Sequence, residues 1–403
     1  MSNLRRIVPR RPWLRWTLGL SFLLVLAAGV VGCTAMDALG AKPEGDRLER
    51  IRQSPQYGDD GFENRLPTVR DGASISTFWE FFVGGSDYRE PDGGLPVVYR
   101  TAADFQAAPE PLRVTWLGHS TLLVEIDGAR LLVDPMWGEF AAPSAVFGVS
   151  RFHPPPLALE DLPPLDAVLL SHDHYDHLDM PTVQALAARD VRFVVPLGLG
   201  SHLESWGVDP ERITELDWWE EVAVGDPSVR LVSTPARHFS GRSLFDRDKT
   251  LWTGWALVGP EHRVFYSGDT ALAPEFGEVG RRLGPFDMTF IESGAYNAAW
   301  ADVHLGPEQA VAVHRMVGGE LMVPVHWSGF NLALHGWTEP VERVRAATAA
   351  AGVRAAFPRP GESVTLRSAP ARQWWPDLPW QTAAEAPALS SGIPDSVAAL
   401  IPR

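Results

Sequence analysis

Apolar and polar positions change period repeatedly from Arg113 onward, which predicts a chain of short strands interrupted by helices. Residues 114–117 and 120–126 read as strands, Asp127-Gly128 as the tight turn after them, and residues 130–133 as the return strand. Residues 166–170 form a short apolar strand that runs into Ser171-His172, followed by a helix over 180–189 and a strand over 191–195. Further strands are predicted at 229–233, 251–258, 263–266, 288–291 and 321–325. Helices are predicted at 274–282, 307–317 and 340–350, each opening on a proline, where a missing N–H costs nothing. This alternation predicts a mixed α/β fold, with one domain over 111–367.

The flanks have a different texture. Residues 33–110 are polar and rich in Gly, Pro and Asp, with an aromatic island at 78–82, and read as a tether and a segment that wraps the body. Residues 368–403 are rich in Ala and Pro and read as an irregular tail. Residues 1–32 combine Arg5, Arg6, Arg10, Arg11 and Arg15 with an apolar run over 16–31 that is short for a membrane span of about 20 residues. The sequence Val30-Val31-Gly32-Cys33 then resembles a bacterial lipoprotein signal, with Val30 where Leu is more usual. Cys33 is the sole cysteine, so it is the lipidation candidate and no disulfide can form within the chain. An uncleaved membrane anchor or a secretory signal cut elsewhere are the alternatives. The lipoprotein reading places the protein in the cell envelope, anchored by lipid, at the outer membrane facing the periplasm.

Charge narrows the partners. The chain carries a net charge of -15, and without the five arginines of residues 1–32 the remainder stands at -20. Such a body repels nucleic acid, whose binding rests on phosphate neutralisation. The 16 Trp residues, Trp218-Trp219 and Trp374-Trp375 among them, are expected mainly in the core.

The densest chemistry lies in Ser171-His172-Asp173-His174-Tyr175-Asp176-His177, at the end of a predicted buried strand. Imidazoles suit zinc, and carboxylates can share the site, so His172 and His174 can serve one ion while Asp176 and His177 serve a second. Three more candidates follow strand-like runs: His238 after Thr234-Pro235, Asp269 after Tyr266-Ser267-Gly268, and His326 after Pro324-Val325. Singly, each reads as a structural histidine or a turn residue. Together with the cluster they make seven candidate side chains, each placed after a strand-like run.

That set, in that order, resembles the metallo-β-lactamase superfamily. The resemblance implies a four-layer αββα sandwich and a dinuclear zinc centre. Further blocks are similar to the N-acyl-phosphatidylethanolamine-hydrolysing phospholipase D family: Val114-Thr115-Trp116-Leu117-Gly118-His119-Ser120-Thr121, Glu215-Leu216-Asp217-Trp218-Trp219-Glu220-Glu221, Gly284-Pro285-Phe286-Asp287, Gly294-Ala295-Tyr296, and Val325-His326-Trp327 with Phe330. They span about residues 111–350. By that resemblance His172, His174 and His238 hold one zinc, Asp176, His177 and His326 the other, and Asp269 and a hydroxide bridge them. Two catalytic candidates come with it. Asp134, in Leu132-Val133-Asp134-Pro135, is expected to accept a hydrogen bond from a ligand histidine. His304 is expected beside the reacting group, although Val303 stands where the family has glutamine. His119 and His335 are pocket candidates and not expected as ligands.

The implied reaction is attack on a phosphodiester phosphorus by a zinc-activated hydroxide, releasing phosphatidic acid and the head-group alcohol. Two alternatives stand beside it. One is a related dinuclear-zinc hydrolase acting on a lactone or a soluble phosphodiester. The other is a metal-binding envelope lipoprotein without catalysis.

Overall fold

The structure, a computed structural model, describes residues 35–69, 84–144 and 148–402. The signal segment, Cys33 and the aromatic island at 78–82 lie outside the described residues. Among those residues, no helix is long and apolar enough to cross a membrane.

The first sheet is built from β1 (Leu112–Trp116), β2 (Leu122–Ile126), β3 (Ala129–Val133), β4 (Ala167–Leu169), β5 (Arg192–Pro196), β6 (Ile213–Leu216) and, late in the chain, β13 (Ser363–Val364). Its order is β13-β1-β2-β3-β4-β5-β6. Neighbours are antiparallel up to β3 and parallel from β3 to β6. The second sheet contains β7 (Glu221–Val224), β8 (Val229–Thr234), β9 (Gly254–Val258), β10 (Arg263–Tyr266), β11 (Phe286–Glu292) and β12 (Gly319–Val325), in the order β12-β11-β10-β9-β8-β7. It is parallel across β10, β11 and β12 and antiparallel elsewhere.

The period of two along each strand sorts side chains between layers. Val124, Leu131, Val133, Leu169 and Val194 share one apolar cluster with Trp255, Leu257 and Val264 of the second sheet. Their neighbours Leu123, Leu132, Val168, Phe193 and Val195 belong to another, with Val183, Leu186 and Leu203. Those last three come from the helices α2 (Met180–Ala187) and α3 (Gly200–Ser205), which cover the outer face of the first sheet; α1 (Gly45–Arg52) precedes them in the chain. On the other side, α5 (Pro307–Val317) packs on β11 and β12 and against α4 (Glu275–Leu283) and α6 (Glu339–Ala351). The result is the expected α/β sandwich of four layers, helices outside two mixed sheets.

The predicted prolines sit at the helix starts: Pro274 just before α4, Pro307 first in α5, Pro340 second in α6. Several edges differ from expectation. Strands β6 and β7 are outermost in their sheets and partly exposed, so their apolar signal is weak. Residues 251–253, expected in a strand, are a loop: Leu251 N–H donates to the Leu197 carbonyl and Thr253 N–H to that of Ser171, not to a sheet neighbour. Residues 120 and 121 also precede β2, because Thr121 N–H closes a turn on Gly118.

Both flanks are tied to the body. Arg47 on α1 donates to Glu215 at 2.8 Å and also binds Glu204. Asn64 exchanges hydrogen bonds with the backbone of His238 at 2.7 and 3.1 Å. In the tail, Trp375 donates its indole N–H to Glu342 at 2.8 Å and stands edge-on to Trp327, 5.5 Å between ring centroids. Trp327 directly follows His326, so the tail supports the strand end that carries a candidate ligand. Replacing Trp375 with alanine is therefore expected to cost about 3–5 kcal/mol in a denaturation experiment, the usual range for emptying a buried Trp site. A loss below about 1 kcal/mol would show that the tail is dispensable to the fold.

Candidate metal centre

Every candidate ligand follows a strand end on one side of the sandwich. Residues His172 to His177 follow β4, His238 follows β8, Asp269 follows β10, and His326 follows β12. Asp134 follows β3 directly. Turning the chain sharply at these ends requires unusual backbone. Asp134 (φ 41°) and His326 (φ 63°) occupy the left-handed region, as does His119 (φ 50°). Each such residue costs on the order of 1–3 kcal/mol, which the surrounding packing must offset. Glycine is needed beside them: a Cβ on Gly294 would lie 1.9 Å from the His326 carbonyl oxygen.

The side chains converge in two groups. In one, ligand atoms of His172, His174, His238 and Asp269 all lie within 4.8 Å of one another. In the other, the same holds for His119, Asp176, His177 and His326. Asp269 joins the groups. Its Oδ2 lies 3.0 Å from His326 Nε2, 3.2 Å from His177 Nε2, 3.8 Å from His172 Nε2 and 3.9 Å from His238 Nε2. All seven ligand candidates of the sequence are thus brought together.

Hydrogen bonds around the groups fix which nitrogens carry protons. Asp134 accepts from Ser171 N–H at 2.7 Å, Ser171 Oγ at 2.6 Å, Tyr266 OH at 2.5 Å and His177 Nδ1 at 2.7 Å. The Ser171 hydroxyl gives its one proton to Asp134, so it can only accept from His172 Nδ1 at 2.9 Å. His238 Nδ1 donates to the Val303 carbonyl at 2.7 Å. The position that departs from the family pattern therefore contributes through its backbone. In all three histidines the Nε2 lone pair is left bare and aimed inward, the arrangement that orients imidazole toward a metal.

This donor set fits metal ions. His238 Nε2 lies 3.2 Å from His174 Nδ1, and His172 Nε2 lies 2.9 Å from the same atom. The two bare nitrogens can satisfy that crowding only by sharing a cation or a proton with His174. His177 Nε2 and Asp269 Oδ1 are buried without hydrogen-bond partners. The site also attracts positive charge. Burial opposes protonation of His326, yet Asp269 and Asp176 outweigh it and raise this imidazole to about 10. His177 is raised for the same reason against the same burial. His172 and His238 are lowered, by burial and then by neighbouring imidazoles. Asp176 and Asp269 stay well below the usual carboxylate range, because His177 and the other histidines outweigh burial.

Three positions refine the sequence reading. His119, not expected among the ligands, stands 2.8 Å from Asp176 through Nε2, close enough to join the second group and placed to orient Asp176. His335 is stacked on Tyr296, 4.4 Å between centroids, and burial lowers it to about 4. It lines a small space behind His326 rather than the main cavity. Glu292, the last residue of β11, was missed. It is fully buried, accepts from Thr270 N–H at 2.8 Å and Leu305 N–H at 3.0 Å, and lies 2.9 Å from His304 Nδ1. Burial raises its carboxyl above the ordinary range although His304 pulls the other way. Its only trace in the sequence is an acid ending an apolar strand, a weak signal.

A cavity of about 380 Å³ opens beside both groups. His174, Asp176, Asp269, His304 and His326 form its floor, and Val69, Phe239, Trp300 and Leu332 give it apolar walls, with Arg247 at one side.

The role of Asp134 can be isolated. Asp134→Asn keeps the shape but offers an N–H where donors already point. We expect metal affinity to fall about 10–100-fold in chelator competition, with the circular-dichroism spectrum unchanged. Parental affinity would show that the tautomers are set elsewhere.

Known proteins bear out the architecture. Residues 129–327 match the Beta-lactamase superfamily domain. An uncharacterized protein of Mycobacterium tuberculosis is 45% identical over 348 residues, covering 84% of this chain and 91% of that protein. The N-acyl-phosphatidylethanolamine-hydrolyzing phospholipase D 1 of Caenorhabditis elegans is 36% identical over 271 residues, covering 64% of this chain and 76% of that enzyme. The isothiocyanate hydrolase from Delia radicum gut bacteria superposes with a TM-score of 0.50 at 22% identity, covering 63% of this chain and 98% of that one, and so shares the fold. Matching sequence, sandwich and His/Asp groups suited to metal ions make the protein a metal-dependent hydrolase, and the chain belongs to the metallo-β-lactamase superfamily.

Proposed function

We propose that the protein is a dinuclear-zinc phosphodiesterase of phospholipase D type, acting on N-acyl-phosphatidylethanolamine-like phospholipids. The observation that carries this reading is the joining of the metal groups to a cavity with apolar walls, a shape and chemistry suited to a phosphodiester with acyl chains. Similarity to the nematode phospholipase supports it. His172, His174 and His238 are assigned to one zinc, Asp176, His177 and His326 to the other, and Asp269 to both. Bound zinc supplies Lewis acidity and an activated water.

The chain's own contribution to the reaction lies in His304 and Glu292. His304 donates Nδ1–H to Glu292, which turns Nε2 toward the cavity. In the proposed hydrolysis a new P–O bond forms to water and the bond from phosphorus to the head-group oxygen breaks. Phosphatidic acid and an N-acylethanolamine are the products. His304 passes a proton to the departing oxygen, and Glu292 holds the ring while it does so. Apolar walls exclude competing water from the acyl side.

His304→Ala is expected to keep both metals and its melting temperature while turnover of N-acyl-phosphatidylethanolamine falls by about 10²–10⁴-fold, the usual weight of general acid assistance. Parental turnover would remove His304 from the reaction. A parent enzyme that cleaves lactones or soluble phosphodiesters but leaves the phospholipid intact would overturn the substrate class.

We place the protein in the bacterial cell envelope, with Cys33 as its lipid-bearing mature N-terminus at the outer membrane. The support is the Val30-Val31-Gly32-Cys33 sequence after an apolar run. Cys33→Ala should block processing and shift the protein out of its normal membrane fraction. Normal processing of that variant would contradict the assignment.

A further inference from the structure

Immediately after the candidate ligand His238 the chain makes a compact loop over residues 240–248. Its neck is closed by Asp248 N–H donating to the Ser240 carbonyl at 3.0 Å. Its interior is organised by Asp246, 7% exposed, whose carboxylate accepts from Arg242 N–H at 3.2 Å and Ser243 N–H at 2.7 Å. Arg242 is buried beneath it, its guanidinium 4.0 Å from the Tyr175 ring centroid and 2.9 Å from the Leu178 carbonyl oxygen. This loop is therefore held in shape by polar groups pointing inward. What it presents outward is Leu244, 92% exposed, and Phe245, 80% exposed, the two most exposed large apolar side chains among the described residues.

Scattered surface hydrophobes are ordinary, but an adjacent pair raised on a braced loop is not. The surroundings of the pair continue its character. Phe239 and Arg247, at the two ends of the loop, line the cavity, and so does Val69, itself 48% exposed. Lys42 reaches the loop, donating to the Phe245 carbonyl at 2.7 Å. Arg247 stacks over the Phe239 ring at 4.5 Å. Charge around the tip is mixed: Lys42, Arg247 and Lys249 stand with Asp248, 3.4 Å from Arg247, and with Asp60, which pairs with Lys249. Such a surface suits the zwitterionic and weakly anionic head groups of a bilayer better than a strongly charged protein face.

The path of the N-terminal tether supplies the second, independent observation. Residues 37–42 are pinned beside the same loop. Trp206 donates to the Asp37 carbonyl at 2.7 Å, Arg242 to that of Ala38 at 2.9 Å, and Met36 next to them is 70% exposed. Cys33 precedes Asp37 by only four residues, which span at most about 14 Å of extended chain. A lipid on Cys33 therefore holds this side of the body against the membrane.

We propose that the loop over residues 240–248 is a membrane-docking element, with Leu244 and Phe245 entering the bilayer that anchors Cys33, so that the mouth of the metal-site cavity faces the lipid surface. The inference rests on the lipoprotein reading for the position of the tether, and on the exposed tip for the contact itself. An apolar and an aromatic side chain at the head-group level add a second attachment to the lipid chains and fix the orientation of the body, which a single point of lipid attachment does not do. A phospholipid then enters the cavity from the membrane without crossing water.

The test uses the full chain with Cys33 replaced by alanine, so that an introduced cysteine is its only thiol. Phe245→Cys and, as a control, Glu261→Cys in the exposed turn between β9 and β10 are each labelled with an environment-sensitive fluorophore. Both are reconstituted into vesicles of phosphatidylethanolamine and phosphatidylglycerol that carry nitroxide lipids. The proposal expects at least two-fold quenching at position 245 and none at 261. Equal signals at the two positions overturn it. A shielded label at 245 that depends on protein concentration and not on vesicles also overturns it, and assigns the loop to a contact between chains. The anchor is read separately, from the mass of the Cys33-containing N-terminus of the parent protein. Quenching at 245 with an unmodified Cys33 keeps the docking loop and removes the lipoprotein reading. A lipid-bearing Cys33 with no quenching at 245 does the reverse.

Discussion

Two buried carboxylates surrounded by imidazoles with bare nitrogens are the constraint around which the molecule is arranged. Asp176 and Asp269, on the cavity floor and largely screened from bulk water, stay ionised only with positive charge close by. In the structure they raise the proton affinity of His326 and His177 against the cost of burial. A pair of metal ions meets the same demand and also relieves the crowding of His172, His174 and His238. Asp134 makes this work at a distance from the ions. By accepting four hydrogen bonds it fixes the Ser171 hydroxyl and the His177 ring, and through Ser171 it fixes His172 as well. One buried residue thus sets the tautomers of ligands in both groups.

The sandwich explains why such a site can be precise. Strands sorted by a period of two give rigid layers, and the ligands stand within a few residues of strand ends in both sheets. The left-handed backbone at Asp134 and His326 is local strain that these layers hold in place. Flanking segments complete the arrangement. Asn64 braces His238 from the N-terminal side, and the Trp375–Trp327 contact braces the strand end before His326 from the tail. The substrate side is different in kind: an apolar cavity and, beside it, a loop with an exposed apolar tip whose end residues Phe239 and Arg247 line that cavity.

Much of this was legible in the sequence because the signals were local. The cluster from His172 to His177 and the three later ligands each follow a continuous apolar run, and the runs became β4, β8, β10 and β12. What could not be read depends on contacts distant in sequence. Glu292 ends a strand like many others, and its pairing with His304 is created by the fold. His119 looked like a pocket residue because its neighbour Asp176 lies 57 positions away. The edge strands β6, β7 and β13 are short or half exposed, so they lack the periodic signal of the buried ones. The tail reads as irregular and is nearly so, yet Trp375 is buried in the core, because composition reports regularity and not packing.

The central claim is that seven side chains form two metal sites sharing Asp269. Elemental analysis of the purified, folded chain tests it most directly, together with His238→Ala and Asp269→Ala. The account predicts two metal ions per parent chain, one strongly retained ion in His238→Ala, and loss of both in Asp269→Ala. A folded parent chain with one ion or none, or an Asp269→Ala chain that keeps two, would contradict it.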